Sequence, residues 1–383
     1  MISKENFTDD FPLFNLKEVA EFLDGKRRPV KESERTAGNY AYYGANGKQG
    51  TINDFIFDEP TILLAEDGGH FWNPDRGVAY KVEGKYWVNN HAHVLQPKDG
   101  ICINYLCRVL ENYDLRQYVT GTTRGKLTKG SAEQIQIPLP MKNGKPDLLE
   151  QQRIAGILDQ ADAIRRKRQQ ALQLTDDFLR ATFLDLFGDP VTNPKGWEEC
   201  TVGDETDCIV PGRDKPKSFT GSTPWVTTAD LNHLGITSKS SKKMGLSKSE
   251  ILEVRARVIP EKSVLISCVG DLGISSLAGC DQVINQQLHS FQCGQKLLPE
   301  FLMYCLPFRK EWMLQRATKT TLPYLNKTNC NSIPIVLPPR PKQEAFAKVY
   351  NQVMLNKAPM ITQQTASEHL FASLQQRAFK GEL

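Results

Sequence analysis

The chain has 383 residues, enough for two or three folding units that each bury a core. Apolar residues make up 40% and charged residues 24%, which excludes wholesale disorder and collagen-like or mucin-like chains. No run of 18 apolar residues occurs, and the first ten residues carry Lys4, Glu5, Asp9 and Asp10 where a signal peptide needs an apolar stretch, so no membrane association is expected and a cytoplasmic location is. Nine scattered cysteines without a CxxC pair encode neither a disulfide framework nor a zinc knuckle, and are expected to be reduced and mostly buried. The net charge of +4 leans only mildly toward nucleic acid, but it is unevenly placed.

In chain order, the first half opens with short apolar runs punctuated by Gly, Pro, Asn and Asp, a pattern of short strands with some helix. Within it, Lys26 to Lys48 holds six cations against two carboxylates, beside Tyr40, Tyr42 and Tyr43. Asp75, Glu83 and Lys85 have the residue types of a Mg²⁺-dependent PD-(D/E)xK nuclease centre, but the spacing is short and Asp75 follows Trp72-Asn73 in an apparent loop. His91 and His93 alternate along a strand and share a face; without an evident third ligand they read as structural or base-contacting histidines. Gly121 to Lys126 is one residue short of a phosphate-cradling loop, with Leu127 where a hydroxyl is needed. Asn73-Pro74-Asp75-Arg76 lacks the second Pro and the aromatic of an amino-methyltransferase motif, so no methyl transfer is expected from this chain.

From Leu148 to Phe187 there is no Pro and a single Gly, and apolar residues recur at helical spacing, which predicts one long amphipathic helix stopped by Gly188-Asp189-Pro190. Some 38 helical residues span about 57 Å, more than a 150-residue globule needs for its own core, so the apolar stripe wants a partner helix. A linker, Thr192 to Gly196, leads into a second mixed region in which Pro211 to Lys248 holds seven cations against two carboxylates, beside Phe219 and Trp225. A second helical segment, Gln343 to Phe379, is interrupted by Pro359, which is expected to kink or break it.

The two halves repeat one plan. Ile137-Pro138-Leu139-Pro140 followed by Glu150-Gln151-Gln152 matches Ile333-Pro334-Ile335-Val336 followed by Lys342-Gln343-Glu344. Val88 to His93 matches Ile284 to His289 at an offset of 196, Ile62 to Ala65 sits where Val264 to Ser267 sits, and Thr122 to Leu127 parallels Lys319 to Leu325. Four matches in one order make the chain a tandem of related halves, and a cationic excess at the same place in both favours a polyanion with edges to read.

Leu148 to Trp197, ending in Gly-Asp-Pro-x-x-Asn-Pro-x-Gly-Trp, resembles the central spacer of specificity subunits of type I restriction-modification systems, and Leu127 to Pro140 and Leu322 to Pro339 resemble that family's junctions. The resemblance implies an α+β fold: a tandem pseudo-repeat of two globular mixed α/β DNA-recognition domains separated by two long helices packed as an antiparallel coiled-coil pair. The expected boundaries are 1–147 and 189–341 for the target recognition domains, and 148–188 and 342–383 for the central and distal spacer helices. It further implies a non-catalytic subunit reading a bipartite target in double-stranded DNA and docking two methyltransferase subunits and motor-nuclease restriction subunits. No cofactor is expected on this chain; S-adenosylmethionine, ATP and Mg²⁺ are expected on the partners. A self-sufficient nuclease and a two-armed protein scaffold are the alternatives.

Candidate DNA contacts are Arg28, Tyr42, Asn46, Lys48, Arg124 and Lys126 in the first domain, and Arg213, Lys215, Lys217, Thr227, Lys242, Lys319 and Lys327 in the second. Leu158, Ile164, Leu172, Leu179, Phe346, Val353, Leu370 and Leu374 are expected to line the helix pair.

Overall fold

A computed structural model describes residues 11–73, 77–111, 113–121, 124–212 and 214–383. It divides into two units, the first comprising Met1–Gln169 and Gln363–Leu383 and the second Gln170–Thr362, so the division falls within both long helices. Arg213 and Asp75 lie outside the described residues.

In the first unit, Thr61–Ala65 is buried along its whole length, as its continuous apolar run requires of a strand covered on both faces. It sits inside an antiparallel sheet ordered Ala20–Phe22, Ala92–Pro97, Thr61–Ala65, Ala79–Val82. A second sheet, Gly47–Ile52, Tyr40–Gly44 and Tyr86–Val88, contains one parallel pair. Leu13–Asn15 pairs with Gln136–Pro138, and the helix Ile103–Glu111 contributes Tyr105, Leu106, Val109 and Leu110 to the core.

The second unit repeats this plan. Val264–Ser267 lies between Leu288–Cys293 and Ser275–Ala278, with Thr206–Ile209 and Ile236–Thr237 at the edges. Thr223–Val226 runs parallel to Gln282–Ile284, as Tyr40–Gly44 does to Tyr86–Val88. Glu198–Thr201 pairs with Pro334–Leu337, and Pro299–Cys305 takes the place of the core helix. Like plans in both halves are what the sequence repeat predicts.

The central helix spans Leu148–Phe187 and the distal helix Arg340–Phe379. They pack antiparallel: Arg153 donates to the Leu383 carbonyl, Arg168 to the Gln363 carbonyl and the Ser367 hydroxyl, and Lys357 pairs with Asp176. In the first unit Ile154, Ala155 and Leu158 share a core with Ala378 and Phe379. In the second, Phe183 meets Phe346 at 5.4 Å and Phe187 meets it at 5.8 Å, each edge to face.

The repeated Glu-Gln-Gln and Lys-Gln-Glu triplets acquire a physical role. Gln151, fully buried, accepts from the Cys102 N–H at 2.8 Å and donates to the Gly100 carbonyl at 3.0 Å. Gln343, also fully buried, accepts from the Leu298 N–H at 2.8 Å and donates to the Lys296 carbonyl at 3.0 Å. Each glutamine thus clamps a long helix to the loop that starts its unit's core helix. The Gly-Asp-Pro segment is a helix stop: Gly188 takes φ +74°, Trp197 Nε1 donates to the Phe187 carbonyl at 2.8 Å, and Lys195 reaches the Asp185 and Leu186 carbonyls, so the helix's last acceptors are satisfied. Asp162, with a side chain 3% exposed, accepts from Arg165 at 2.7 Å, Arg166 at 2.9 Å and Arg108 at 3.1 Å, tying the central helix to the first unit's core helix. Burial pushes its carboxyl up, but the three guanidiniums together hold it below the ordinary aspartate value.

Three expectations are corrected. Pro359 does not break the distal helix, which is continuous through it. The carbonyl four residues earlier, which proline leaves without a donor, belongs to Leu355, exposed at 71% and open to water. Ile164 and Leu370, expected in the seam, are 51% and 58% exposed. Arg165 instead lays its guanidinium 5.3 Å from the Phe371 ring, so the neighbouring residue on each helix fills that contact. Leu158, Leu179 and Phe346 are buried, and Leu172, Val353 and Leu374 half-buried.

Replacing Gln151 by Leu removes a clamp and leaves one backbone N–H and one carbonyl unpaired, and replacing Gln343 by Leu leaves one N–H and two carbonyls, those of Lys296 and Pro338. Each variant is expected to lose about 1–3 kcal/mol of unfolding free energy per unpaired group in urea denaturation.

Candidate nucleic-acid interface

In both units the segment after the innermost strand meets a hairpin-like loop through the same backbone bonds. Leu127 N–H donates to the Glu66 carbonyl and Gly68 N–H to the Gly125 carbonyl; Leu325 N–H donates to the Cys268 carbonyl and Gly270 N–H to the Pro323 carbonyl. Residue 67 bridges residue 126 in one unit and residue 269 bridges residue 324 in the other. The strand-entry loops repeat as well, with the Asn89 side chain accepting from His91 N–H and the Asn285 side chain accepting from Gln287 N–H.

On this frame the first unit gathers Asn46, Asp67, His91, Arg124 and Lys126. Asn46 Nδ2 donates to the Gly68 carbonyl at 2.9 Å. Arg124, with a side chain 64% exposed, reaches Asp67 at 2.8 Å, and His91 Nδ1 lies 2.6 Å from the same oxygen. Lys126 lies 3.8 Å from Glu66. Arg28 and Lys48 are exposed. Tyr42 corrects the expectation: it is 1% exposed, exchanges hydrogen bonds with the Val30 backbone and carries Arg35 over its ring, so it cannot reach DNA. The cationic excess of Lys26 to Lys48 is therefore partly structural, since Arg35 caps Tyr42 and Arg27 is turned inward.

Arg27 pairs with Glu66 at 2.6 Å and Asp24 at 3.4 Å, and His93 Nδ1 stands 2.7 Å from Asp24. Asp24, Glu66 and His93 could hold a metal ion by separation alone, each offering a ligand atom within 4.8 Å of the others. The Arg27 cation already lies against both carboxylates, and His93 Nε2 is engaged by the Leu127 carbonyl at 2.9 Å, so the donor set is a hydrogen-bonded knot behind the loop. Burial raises the Asp24 carboxyl while His93, Val94 N–H and Arg27 lower it, with a net downward shift. Asp24 and Glu66 escape sequence reasoning because their partners are distant in the chain.

In the second unit Lys215, Lys217, Lys242, Lys319 and Lys327 are exposed and have no ion-pair partner among the described residues. Thr227 is occupied as a helix-cap residue, its backbone N–H and hydroxyl both donating to Asp230 at 2.8 Å. The arrangement of the nuclease alternative does not form among the described residues: Glu83 pairs with Lys81 at 2.5 Å and Lys85 with Asp58 at 4.0 Å.

The type I restriction modification DNA specificity domain matches residues 8–174 and again 194–363, and the chain belongs to that family. It is 36% identical to the Haemophilus influenzae protein described as type I restriction enzyme specificity subunit S.HindORF215P over 149 residues, covering 39% of this chain and 37% of that protein. Similarity to the type I restriction enzyme MjaIX specificity subunit of Methanocaldococcus jannaschii is lower, 21%, but spans 88% of this chain and 85% of that one. The crystal structure of the S subunit of a type I restriction-modification system from M. genitalium superposes with a TM-score of 0.66 at 13% identity, covering 99% of this chain and 98% of that one, which shows a common fold. No helix among the described residues is long and apolar enough to cross a membrane.

His289, at the position of His93, is 4% exposed, and burial pushes its pKa down to about 4, with Lys327 acting the same way. The unfolded chain takes up this proton near pH 6.5 and the folded chain only near pH 4. Stability is therefore expected to fall as pH drops through that window, by roughly 3 kcal/mol from this group. Urea unfolding at pH 7 and pH 4.5 should show a smaller difference for His289→Gln than for the parent chain.

Proposed function

We propose that this chain is the DNA-recognition subunit of a type I restriction-modification complex, in which each unit reads one half of a bipartite target and the helix pair sets the gap between the halves. The observation that carries the reading is the duplication: one backbone frame, built twice, with exposed cations around the same loop in both copies. The recognition domains are 1–147 and 189–341, with spacers 148–188 and 342–383. Lys215, Lys217, Lys242, Lys319 and Lys327 neutralise phosphates in the second domain, and Arg28 and Lys48 do so in the first, while Lys126, beside Glu66, contacts the DNA next to Arg124. Arg213 is proposed as a further contact on sequence grounds. Discrimination comes from the fewer side chains that reach base edges.

Two methyltransferase subunits and the motor-nuclease subunits dock to this chain in the cytoplasm, and S-adenosylmethionine, ATP and Mg²⁺ act on those partners. The side chains of this subunit bind and orient DNA and supply no covalent step. Half-sites about one helical turn apart, roughly 34–36 Å, suit two similar readers on one spacer.

The test is salt-dependent DNA binding by the chain assembled with methyltransferase subunits. Lys215→Ala with Lys217→Ala should weaken binding at every target sequence alike and reduce the slope of log K against log salt by about 2. Salt-independent binding, or DNA cleavage by the isolated chain in Mg²⁺, would count against the proposal.

A further inference from the structure

We propose that Arg124, aimed by Asp67, reads a guanine in the half-site of the first unit, and that Leu322, at the same loop position of the second unit, meets a thymine methyl instead. This rests on the DNA-recognition reading above and goes beyond it by assigning base chemistry to one position in each half-site.

The equivalence comes from the backbone. Asp67 bridges Lys126 as Val269 bridges Tyr324, and the glycine one residue on bonds the opposing loop in both units, Gly68 to Gly125 and Gly270 to Pro323. Counting back two residues from each bridge partner places Arg124 against Leu322. The first unit therefore carries an aspartate-arginine ion pair where the second carries valine and leucine on the same frame. Two readers of different half-sites need a constant scaffold and variable tips, and this is such a swap.

The geometry of Arg124 suits a base edge better than a phosphate. Its Nη2 is held by Asp67 at 2.8 Å, and its guanidinium stands close over Gly68, where a side-chain carbon would lie 3.3 Å from Nη2 and 3.4 Å from Nε. Gly68 takes φ +62°, and its carbonyl is occupied by Asn46. A carboxylate beside a phosphate-binding cation would repel the phosphate. Beside a base-reading arginine it fixes the fork and leaves the remaining N–H groups, on a side chain 64% exposed, for the O6 and N7 acceptors of guanine. His91 Nδ1 stands 2.6 Å from the same Asp67 oxygen and helps to fix it. Leu322 is 64% exposed, and over Gly270 no atom stands within 4 Å of where a side-chain carbon would be, so the second loop offers an open apolar tip with no hydrogen-bond donor at that place. The thymine C5-methyl is the apolar feature of the major groove.

The experiment is genome-wide mapping of methylated adenines in cells carrying the full chain with its methyltransferase subunits, comparing the parent with Arg124→Ala, Arg124→Lys, Asp67→Asn and Leu322→Ala. Arg124→Ala and Arg124→Lys are expected to lose discrimination about tenfold or more at one G·C pair of one half-site, with the other half-site read as before. Asp67→Asn should relax the same pair less, and Leu322→Ala should relax one A·T pair of the opposite half-site. Retention of the untouched half-site reports that each variant is folded. An unchanged motif with uniformly reduced methylation in Arg124→Ala, restored in Arg124→Lys, would make Arg124 a phosphate contact and overturn the proposal while leaving the DNA-recognition reading intact. A parent chain that produces no bipartite methylated motif would overturn that reading itself.

Discussion

The constraint on which everything else depends is that neither globular unit closes its core without the long helices. Phe379 and Ala378 from the distal helix join Ile154 and Leu158 from the central helix in the first core, and Phe183 and Phe187 join Phe346 and Tyr350 in the second. Each of these aromatic side chains buries enough surface to contribute several kcal/mol, so separating either helix from its unit would open a cavity that costs about 3–5 kcal/mol per large residue. Position is thereby coupled to stability: the loops built on each core are fixed to the long helices through the same packing that folds the unit.

Along the helix pair, polar contacts join half-buried apolar residues such as Leu172, Val353 and Leu374. Arg168 reaches Gln363 and Ser367, Lys357 reaches Asp176, and Ile164, Leu174 and Leu370 are exposed. Directional bonds fix register where a purely apolar stripe would allow sliding, because a shift of one turn would leave the guanidinium and carboxylate without partners. Burying glutamines 151 and 343 serves the same end, since only one placement of each helix satisfies both the N–H and the carbonyl of its loop.

Much of this was legible in the sequence because duplication and periodicity are local signals that survive without contact information. The repeat, the helix from Leu148 to Phe187 and its glycine stop all follow from spacing. Side-chain fate was less legible. Tyr42 sits in a cationic stretch and reads as a surface aromatic, but the parallel strand Tyr86–Val88 and the Val30 backbone enclose it. Arg27 looks like one more surface cation, yet neutralises two carboxylates 3 and 39 residues away. In the seam, the apolar count favoured Ile164 and Leu370, whereas the long stem of Arg165 and the ring of Phe371, one residue along on each helix, make the contact. Which of two adjacent helical residues faces a partner turns on about 100° of rotation, and composition does not encode that phase when charged stems can pack.

If the long helices set the gap between the half-sites, as proposed, changing the length of both helices tests it most directly. Insertion of seven helix-forming residues after Gln169 and seven more before Gln363 lengthens both helices by about 10 Å at matching points. Methylated-adenine mapping should then return the two original half-sites with the gap between them widened by roughly three base pairs, at about 3.4 Å per base pair. A motif with its gap unchanged, or with altered bases in either half, would contradict the account.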